Sequence, residues 1–194
     1  MIKLPLLSII ILSSDRFDLL QHTISSLLDR LEYPHFELIV YNHQGSHEEG
    51  LIKLINQANG KYLFNCEDDW FFMEKGNWVA RSISILDKNP TVGMVKLRKE
   101  GDGQPGHRVI ESIEHGVIID DCGYSNNPFI ARTSDIQKVL SKIDKPTELY
   151  IEKKMVVSFK ESGHQIAKLA GFNKNGVCVH TGWNRQVGKN NWDK

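Results

Sequence analysis

The sequence is poor in several things at once. Only three of its 194 residues are cysteine (Cys66, Cys122 and Cys178), each more than 50 positions from the next. An odd, widely spaced set makes neither a disulfide frame nor a zinc knuckle, and reads as the reduced thiols of a cytoplasmic protein. Charge of one sign is also lacking, with 24 Lys and Arg against 24 Asp and Glu. Without net charge or a polybasic run, the main electrostatic reason to bind nucleic acid or an anionic membrane is missing. The longest apolar stretch, Leu4–Leu12, contains Pro5 and Ser8 and is far shorter than the roughly 20 residues of a membrane span. It is a poor signal peptide too, with Lys3 its sole leading charge and no small-residue cleavage site behind it. No repeat, low-complexity tract or linker divides the chain. A single domain over 1–182 with a polar tail, 183–194, is the expectation.

What is present is an alternation of strand and helix signals. Leu6–Leu12 is a continuous apolar run rich in isoleucine, as suits a strand buried on both faces. Ser13, Ser14 and Asp15 follow as helix-capping residues, and Phe17, Leu20, Ile24, Leu27, Leu28 and Leu31 then recur at helical spacing. A second strand, Phe36–Tyr41, leads through the polar turn Asn42–Ser46 into a short helix faced by Leu51, Leu54, Ile55 and Ala58. Tyr62–Cys66 is the third strand. Strand–helix–strand–helix–strand with short connections predicts an α/β domain with a mostly parallel sheet flanked by helices. Further on, the pattern predicts a helix near Trp78–Leu86, a strand at Val92–Lys96 and a loop over Lys99–His107. Strands are expected at Gly116–Ile119 and Phe129–Arg132, then helices over Asp135–Ile143 and from Pro146 to about Glu161. Short strands at Ile166–Ala170 and Val177–His180 complete the prediction.

The densest chemical signal is Glu67-Asp68-Asp69, directly after the third strand. In open α/β sheets ligands gather beyond the carboxyl ends of strands. Three adjacent carboxylates repel one another unless something positive neutralises them, and a hard divalent cation such as Mg²⁺ or Mn²⁺ would do so. A solvated acidic turn is the plain alternative. Ser13, Ser14, Asp15 and Asn42 end the first two strands, and so bring hydrogen-bonding groups and free helix amides to the same edge. His180 closes a short strand and is placed either to ligate there or simply to pack. Glu148 and Glu152 lie one helical turn apart. They are candidates for a general base, or for a solvated face paired with Lys153 or Lys154.

Read together, these pieces resemble a GT-A fold glycosyltransferase of the family 2 type, which uses nucleotide-sugar donors. Leu6–Arg16 (LLSIIILSSDR) resembles the family's first strand and its arginine-ended turn, and Glu37–Ser46 (ELIVYNHQGS) the second strand. Tyr62–Asp69 (YLFNCEDD) resembles the strand leading into the DxD metal motif. Gly76–Val95, Asn127–Arg132 (NPFIAR) and Glu161–Leu169 (ESGHQIAKL) follow in the family's order. The resemblance implies that Asp69 binds the metal with Glu67 as partner and His180 completing the site. It implies that Asp68 faces the donor ribose or sugar. Leu12, Ser13, Ser14, Asp15 and Asn42 would line the nucleotide pocket, and Glu148 or Glu152 would be the base. Trp70 is expected as an apolar platform for a sugar or as core, and Arg185 as a tail residue folding over the diphosphate.

Departures from the family pattern are visible. Asn42 stands where the family usually has aspartate, the paired "ED" is absent, and no "QxxRW" motif follows. The last absence, with that of a membrane segment, implies transfer of a single sugar. The resemblance implies a nucleotide-sugar donor, a UDP-sugar foremost, a carbohydrate or glycoconjugate hydroxyl as acceptor, and inversion. Mn²⁺ or Mg²⁺ would be the cofactor. A metal-dependent phosphohydrolase or nuclease, and a noncatalytic nucleotide-sugar-binding module, are the competing readings.

Overall fold

A computed structural model of the chain describes residues 4–97, 108–119, 124–143, 151–169 and 176–182. The Lys99–His107 loop, Cys122, Glu148 and the tail from Trp183, with Arg185, lie outside the described residues.

The opening apolar run forms β1 (Leu7–Ser13), all of it buried. Its side chains alternate between two cores: Leu7, Ile9 and Ile11 enter one, Ile10 and Leu12 the other. This is the period of two expected of a strand covered on both faces. The first core is closed by α1 (Phe17–Arg30) and α3 (Trp78–Lys88), through Leu27, Trp78, Val79, Ile83 and Leu86. Three helices close the other: α2 (His47–Gln57), α4 (Thr133–Ser141) and α5 (Ile151–Glu161). Helices on both faces of one sheet are the arrangement that the alternating sequence pattern predicts.

The sheet has eight strands in the order β2-β1-β3-β8-β5-β9-β7-β6. These are β2 (Phe36–Asn42), β3 (Tyr62–Glu67), β5 (Val92–Lys96), β6 (Val109–Ile113), β7 (Gly116–Ile119), β8 (Phe129–Arg132) and β9 (Gln165–Leu169), with β1 between β2 and β3. Six of the eight run in one direction, and only β8 and β7 run against them. The carboxyl ends of β1, β2 and β3 therefore share one edge. The segment entering β8 reaches the same edge, where Phe129 pairs with Asn65. A second, two-stranded sheet pairs β4 (Trp70–Phe72) with β10 (Cys178–His180).

Three details differ from the sequence expectation. Strands β4 and β6 were not anticipated. β4 is three residues long, and β6 is an exposed edge whose residues show no burial alternation. Helix α1 is capped at Arg16, with no side-chain hydrogen bond from the expected Ser and Asp residues, because those residues serve the site described below. Helix α4 begins at Thr133, directly off β8, two residues before the expected start.

Gly60 shows how closely the first connections pack. Its N–H donates to Ser8 Oγ (2.7 Å) and its carbonyl accepts from Thr133 Oγ1 (2.6 Å). A Cβ at this position would lie 2.6 Å from Ser8 N and 2.7 Å from Leu6 O, both main-chain atoms. Gly60→Ala is therefore expected to lower stability by about 1–3 kcal/mol, the usual cost of overpacking. Urea unfolding of the variant against the parent chain checks this, and an unchanged midpoint would refute it.

Candidate active site

The acidic triplet spans the turn between β3 and β4. Helix α1 fixes this turn from one side. The Thr23 hydroxyl lies 2.7 Å from the Asp68 carbonyl and 2.8 Å from that of Trp70, and accepts from the Trp70 N–H at 3.1 Å. Ser26 Oγ accepts from the Phe72 N–H (3.2 Å). On the other side, the N–H and hydroxyl of Thr181 both donate to the Asp69 carbonyl, at 2.8 and 2.9 Å. A turn held from both flanks fixes where its carboxylates point.

Asp68 is fully buried, and its charge is met at once. Oδ2 accepts from Ser13 Oγ (2.8 Å), the Ser14 N–H (3.2 Å) and Arg16 Nε (3.2 Å), while Oδ1 is paired with Arg16 Nη2. The same guanidinium reaches Asp69, with Nη1 2.8 Å from Oδ2. A buried carboxylate is tolerable only when paired and hydrogen-bonded, and Arg16 meets that need for both aspartates.

Asp69 has a second neighbour. Pairing of β10 with β4 sets His180 opposite Trp70, which brings His180 Nε2 to 3.2 Å from Asp69 Oδ2. The His180 ring stands edge-on to the Trp70 indole, centroids 5.1 Å apart. Gly182 lies against the carboxylate: a Cβ there would sit 2.6 Å from Asp69 Cβ. Burial opposes ionisation of Asp69, yet the His180 hydrogen bond and charge, with the Arg16 charge, hold its carboxyl below the ordinary value. The other oxygen, Oδ1, is buried and has no hydrogen-bond partner among the described residues.

Glu67 does not join that pair. Its Oε1 lies 3.0 Å from Nε2 of His47, the first residue of α2. Burial pushes the Glu67 carboxyl up, with Asp69 and Glu152 adding to it, against the opposing pull of His47. Burial lowers the His47 pKa, but the Glu67 hydrogen bond and charge, helped by Glu152, leave it raised. Among the described residues no three His, Cys, Asp or Glu side chains converge as a metal cage. Of the expected trio, Asp69 and His180 meet directly, while Glu67 has its own partner in His47.

Glu152, in the first turn of α5, accepts the Asn126 N–H at 3.0 Å. Asn126 is tied to β3 by its carbonyl, which accepts from Asn65 Nδ2 (3.0 Å). The Glu152 charge is felt by His47, Glu67 and the buried Tyr124. The structure therefore brings this candidate base to the edge that carries the carboxylates.

The expected nucleotide residues divide into two groups. Asp15 and Asn42 form a reciprocal pair at the exposed edge: the Asp15 N–H donates to Asn42 Oδ1 (2.8 Å), and Asn42 Nδ2 donates to Asp15 Oδ1 (2.6 Å). Asp15 adopts φ 54°, a left-handed turn that aspartate tolerates better than most residues. The side chains of Leu12 and Ser13 are instead buried, Leu12 in the core and Ser13 on Asp68. Trp70 is likewise core, at 1% exposure. On the alternating strand β4 it is Phe71, 42% exposed, that faces out.

Sequence reasoning missed Arg16 and His47. The signal for Arg16 was available: it ends the first strand's turn, one of the family-like segments, and three adjacent carboxylates at the neighbouring strand end call for a cation. His47 had only its place at the start of a helix beside that edge to mark it.

No protein-family model and no curated protein sequence matches the chain. Solved structures do. Over 95% of its length the chain is similar to the mannosyltransferase PcManGT of Pyrobaculum calidifontis, solved with GDP-Man and Mn²⁺, with TM-score 0.64 and 14% identity. Over 86% it is similar to residues 1–349 of S. aureus TarS with UDP-GlcNAc, at TM-score 0.61 and 14% identity. Over 97% it is similar to a Drosophila galactosyltransferase 7 variant with manganese, UDP-Gal and xylobiose, at TM-score 0.60 and 11% identity. The chain spans 59%, 56% and 76% of those three chains respectively. Strand order, carboxylate turn and these likenesses agree: the chain has the GT-A glycosyltransferase fold.

Proposed function

We propose that this chain transfers a single sugar from a nucleoside-diphosphate sugar, a UDP-sugar foremost, to an acceptor hydroxyl, with inversion at the anomeric carbon and with the help of a divalent cation. The observation that carries the reading is the meeting of Asp69 and His180, brought together by β4 and β10 at the carboxyl edge of a GT-A sheet. Structures of the same fold were solved with Mn²⁺ and nucleotide sugars.

The residues fit a cation. Asp69 offers a hard oxygen, Oδ1, that lacks a partner among the described residues, and His180 offers an adjacent imidazole. This mixed oxygen and nitrogen set suits Mn²⁺ better than Mg²⁺, which prefers oxygen and water. When bound, such an ion stabilises the negative charge of a departing diphosphate. The protein's own residues do the rest. Asp15 and Asn42, locked together at the end of β1 and β2, present a rigid polar rim for the nucleotide. Arg16 and Ser13 hold Asp68 still, so the turn does not yield as charge develops beside it. Glu152 accepts the proton of the attacking hydroxyl, a weak acid at neutral pH that needs a base in reach. A base on the face opposite the leaving diphosphate gives in-line displacement, hence inversion.

The test is thermal shift with a panel of nucleotide sugars, each with and without Mn²⁺. Binding to the native state alone raises stability by up to about 2.7 kcal/mol at a hundredfold excess over Kd. A Mn²⁺-dependent shift with one donor, followed by acceptor-dependent consumption of it, is the expected result. Consumption at the same rate without acceptor would replace the reading with a phosphohydrolase. Binding without any consumption would make the chain a nucleotide-sugar-binding module.

A further inference from the structure

Arg16 stands where a cation would be needed. Its fork holds Asp68 through Nε and Nη2 and reaches Asp69 Oδ2 through Nη1 at 2.8 Å. The three side chains are 14%, 0% and 6% exposed, so water screens them little. His180 converges on that same Oδ2 at 3.2 Å. With Asp68 and Asp69 ionised and Arg16 charged, the group carries one net negative charge, not two.

We infer that Arg16 is a built-in counter-cation that competes with the divalent ion for Asp69, so that the ion enters together with the donor diphosphate and not ahead of it. The inference rests on the reading of Asp69 and His180 as the ion's protein ligands. An ion approaching Asp69 meets a guanidinium already on its carboxylate. The bidentate grip of Asp68 prevents that guanidinium from swinging away. Like charges in contact at a poorly screened site repel strongly. The anionic diphosphate removes the penalty by neutralising both cations at once. By linkage, nucleotide and ion then raise each other's affinity by the same factor. Arg16 acts here as a positioning residue, through Asp69, and touches no reacting atom.

Mn²⁺ titration of the full chain, followed by the electron paramagnetic resonance of free Mn²⁺, tests this. Wild type is expected to bind Mn²⁺ weakly alone and about tenfold or more tightly with UDP or GDP. Arg16→Gln is expected to bind Mn²⁺ alone about tenfold more tightly than wild type, and to gain less from nucleotide. Arg16→Lys, which keeps the charge but loses the fork on Asp68, is expected to fall between wild type and Arg16→Gln. A gain of affinity is something mere structural damage does not produce. Should Arg16→Gln not fold, the double variant Arg16→Gln with Asp68→Asn removes a buried charge along with the arginine; it keeps the wild-type net charge, so a smaller tightening is expected of it, from loss of the direct Arg16–Asp69 contact alone. Equal or weaker ion-only binding in the variants, while wild type binds Mn²⁺ with nucleotide, overturns the role of Arg16 alone. No Mn²⁺ binding by any form, with or without nucleotide, overturns the site reading and this inference with it.

Discussion

Asp69→Asn is expected to lower sugar transfer about a thousandfold, because charge stabilisation at a leaving diphosphate is worth several kcal/mol and each 1.36 kcal/mol is a factor of ten. Asparagine keeps the shape that Gly182 packs against and leaves the main-chain carbonyl that Thr181 bonds, while removing the charge that pairs with Arg16 and His180. Arg16 retains its grip on Asp68, so the fold is expected to persist. Single-turnover transfer rates, read beside a thermal melt of the same sample, separate chemistry from unfolding. Transfer within tenfold of wild type at saturating Mn²⁺ would remove Asp69 from the reaction.

Glu152→Gln is expected to reduce kcat by about 10²–10⁴-fold, the usual contribution of a positioned base, with KM little changed. Glutamine retains an oxygen for the Asn126 N–H, now 3.0 Å from Glu152 Oε1, so the segment entering β8 should stay in place and the loss should be chemical. The informative control is Glu148→Gln, since both glutamates fit the sequence pattern and only Glu152 lies among the described residues. Loss of kcat in Glu148→Gln with retention in Glu152→Gln would move the base to position 148. Loss in neither would remove both glutamates as the base.

The elements were legible wherever burial writes a period into the sequence. β1 and β3 announce themselves as continuous apolar runs because helices cover both their faces, and α1 by its three- and four-residue spacing. β4 and β6 were not legible, for opposite physical reasons. β6 lies at the sheet edge, where solvent imposes no alternation. β4 exists through its partner: three residues become a strand when Cys178–His180 pair with them. The site shows the same division. Asp69 stands out in a family-like segment and His180 at the end of an expected strand. That Arg16 grips both aspartates is a matter of side-chain packing around a turn, and no spacing rule encodes it. The carboxylate triplet predicted a neutralising cation; the cation present is the guanidinium of the chain itself. The split of Glu67 from Asp69 is likewise a packing outcome, decided by His47 at the start of a neighbouring helix.

The small β4–β10 sheet has a consequence for order of assembly. Thr181 closes on Asp69 across 112 residues of sequence, and every strand of the large sheet lies earlier in the chain than β10. Contacts so distant in sequence form late, since loop closure must come before they add any stability. A nascent chain released as far as Leu169 carries the sequence of all eight strands, with Arg16 and both aspartates, and lacks His180. The meeting of His180 with Asp69 therefore follows the large sheet, when β10 pairs beside Trp70. Of the two cations that meet Asp69, Arg16 comes from the start of the chain and His180 from beyond the large sheet, so the arginine is the one available to these carboxylates first.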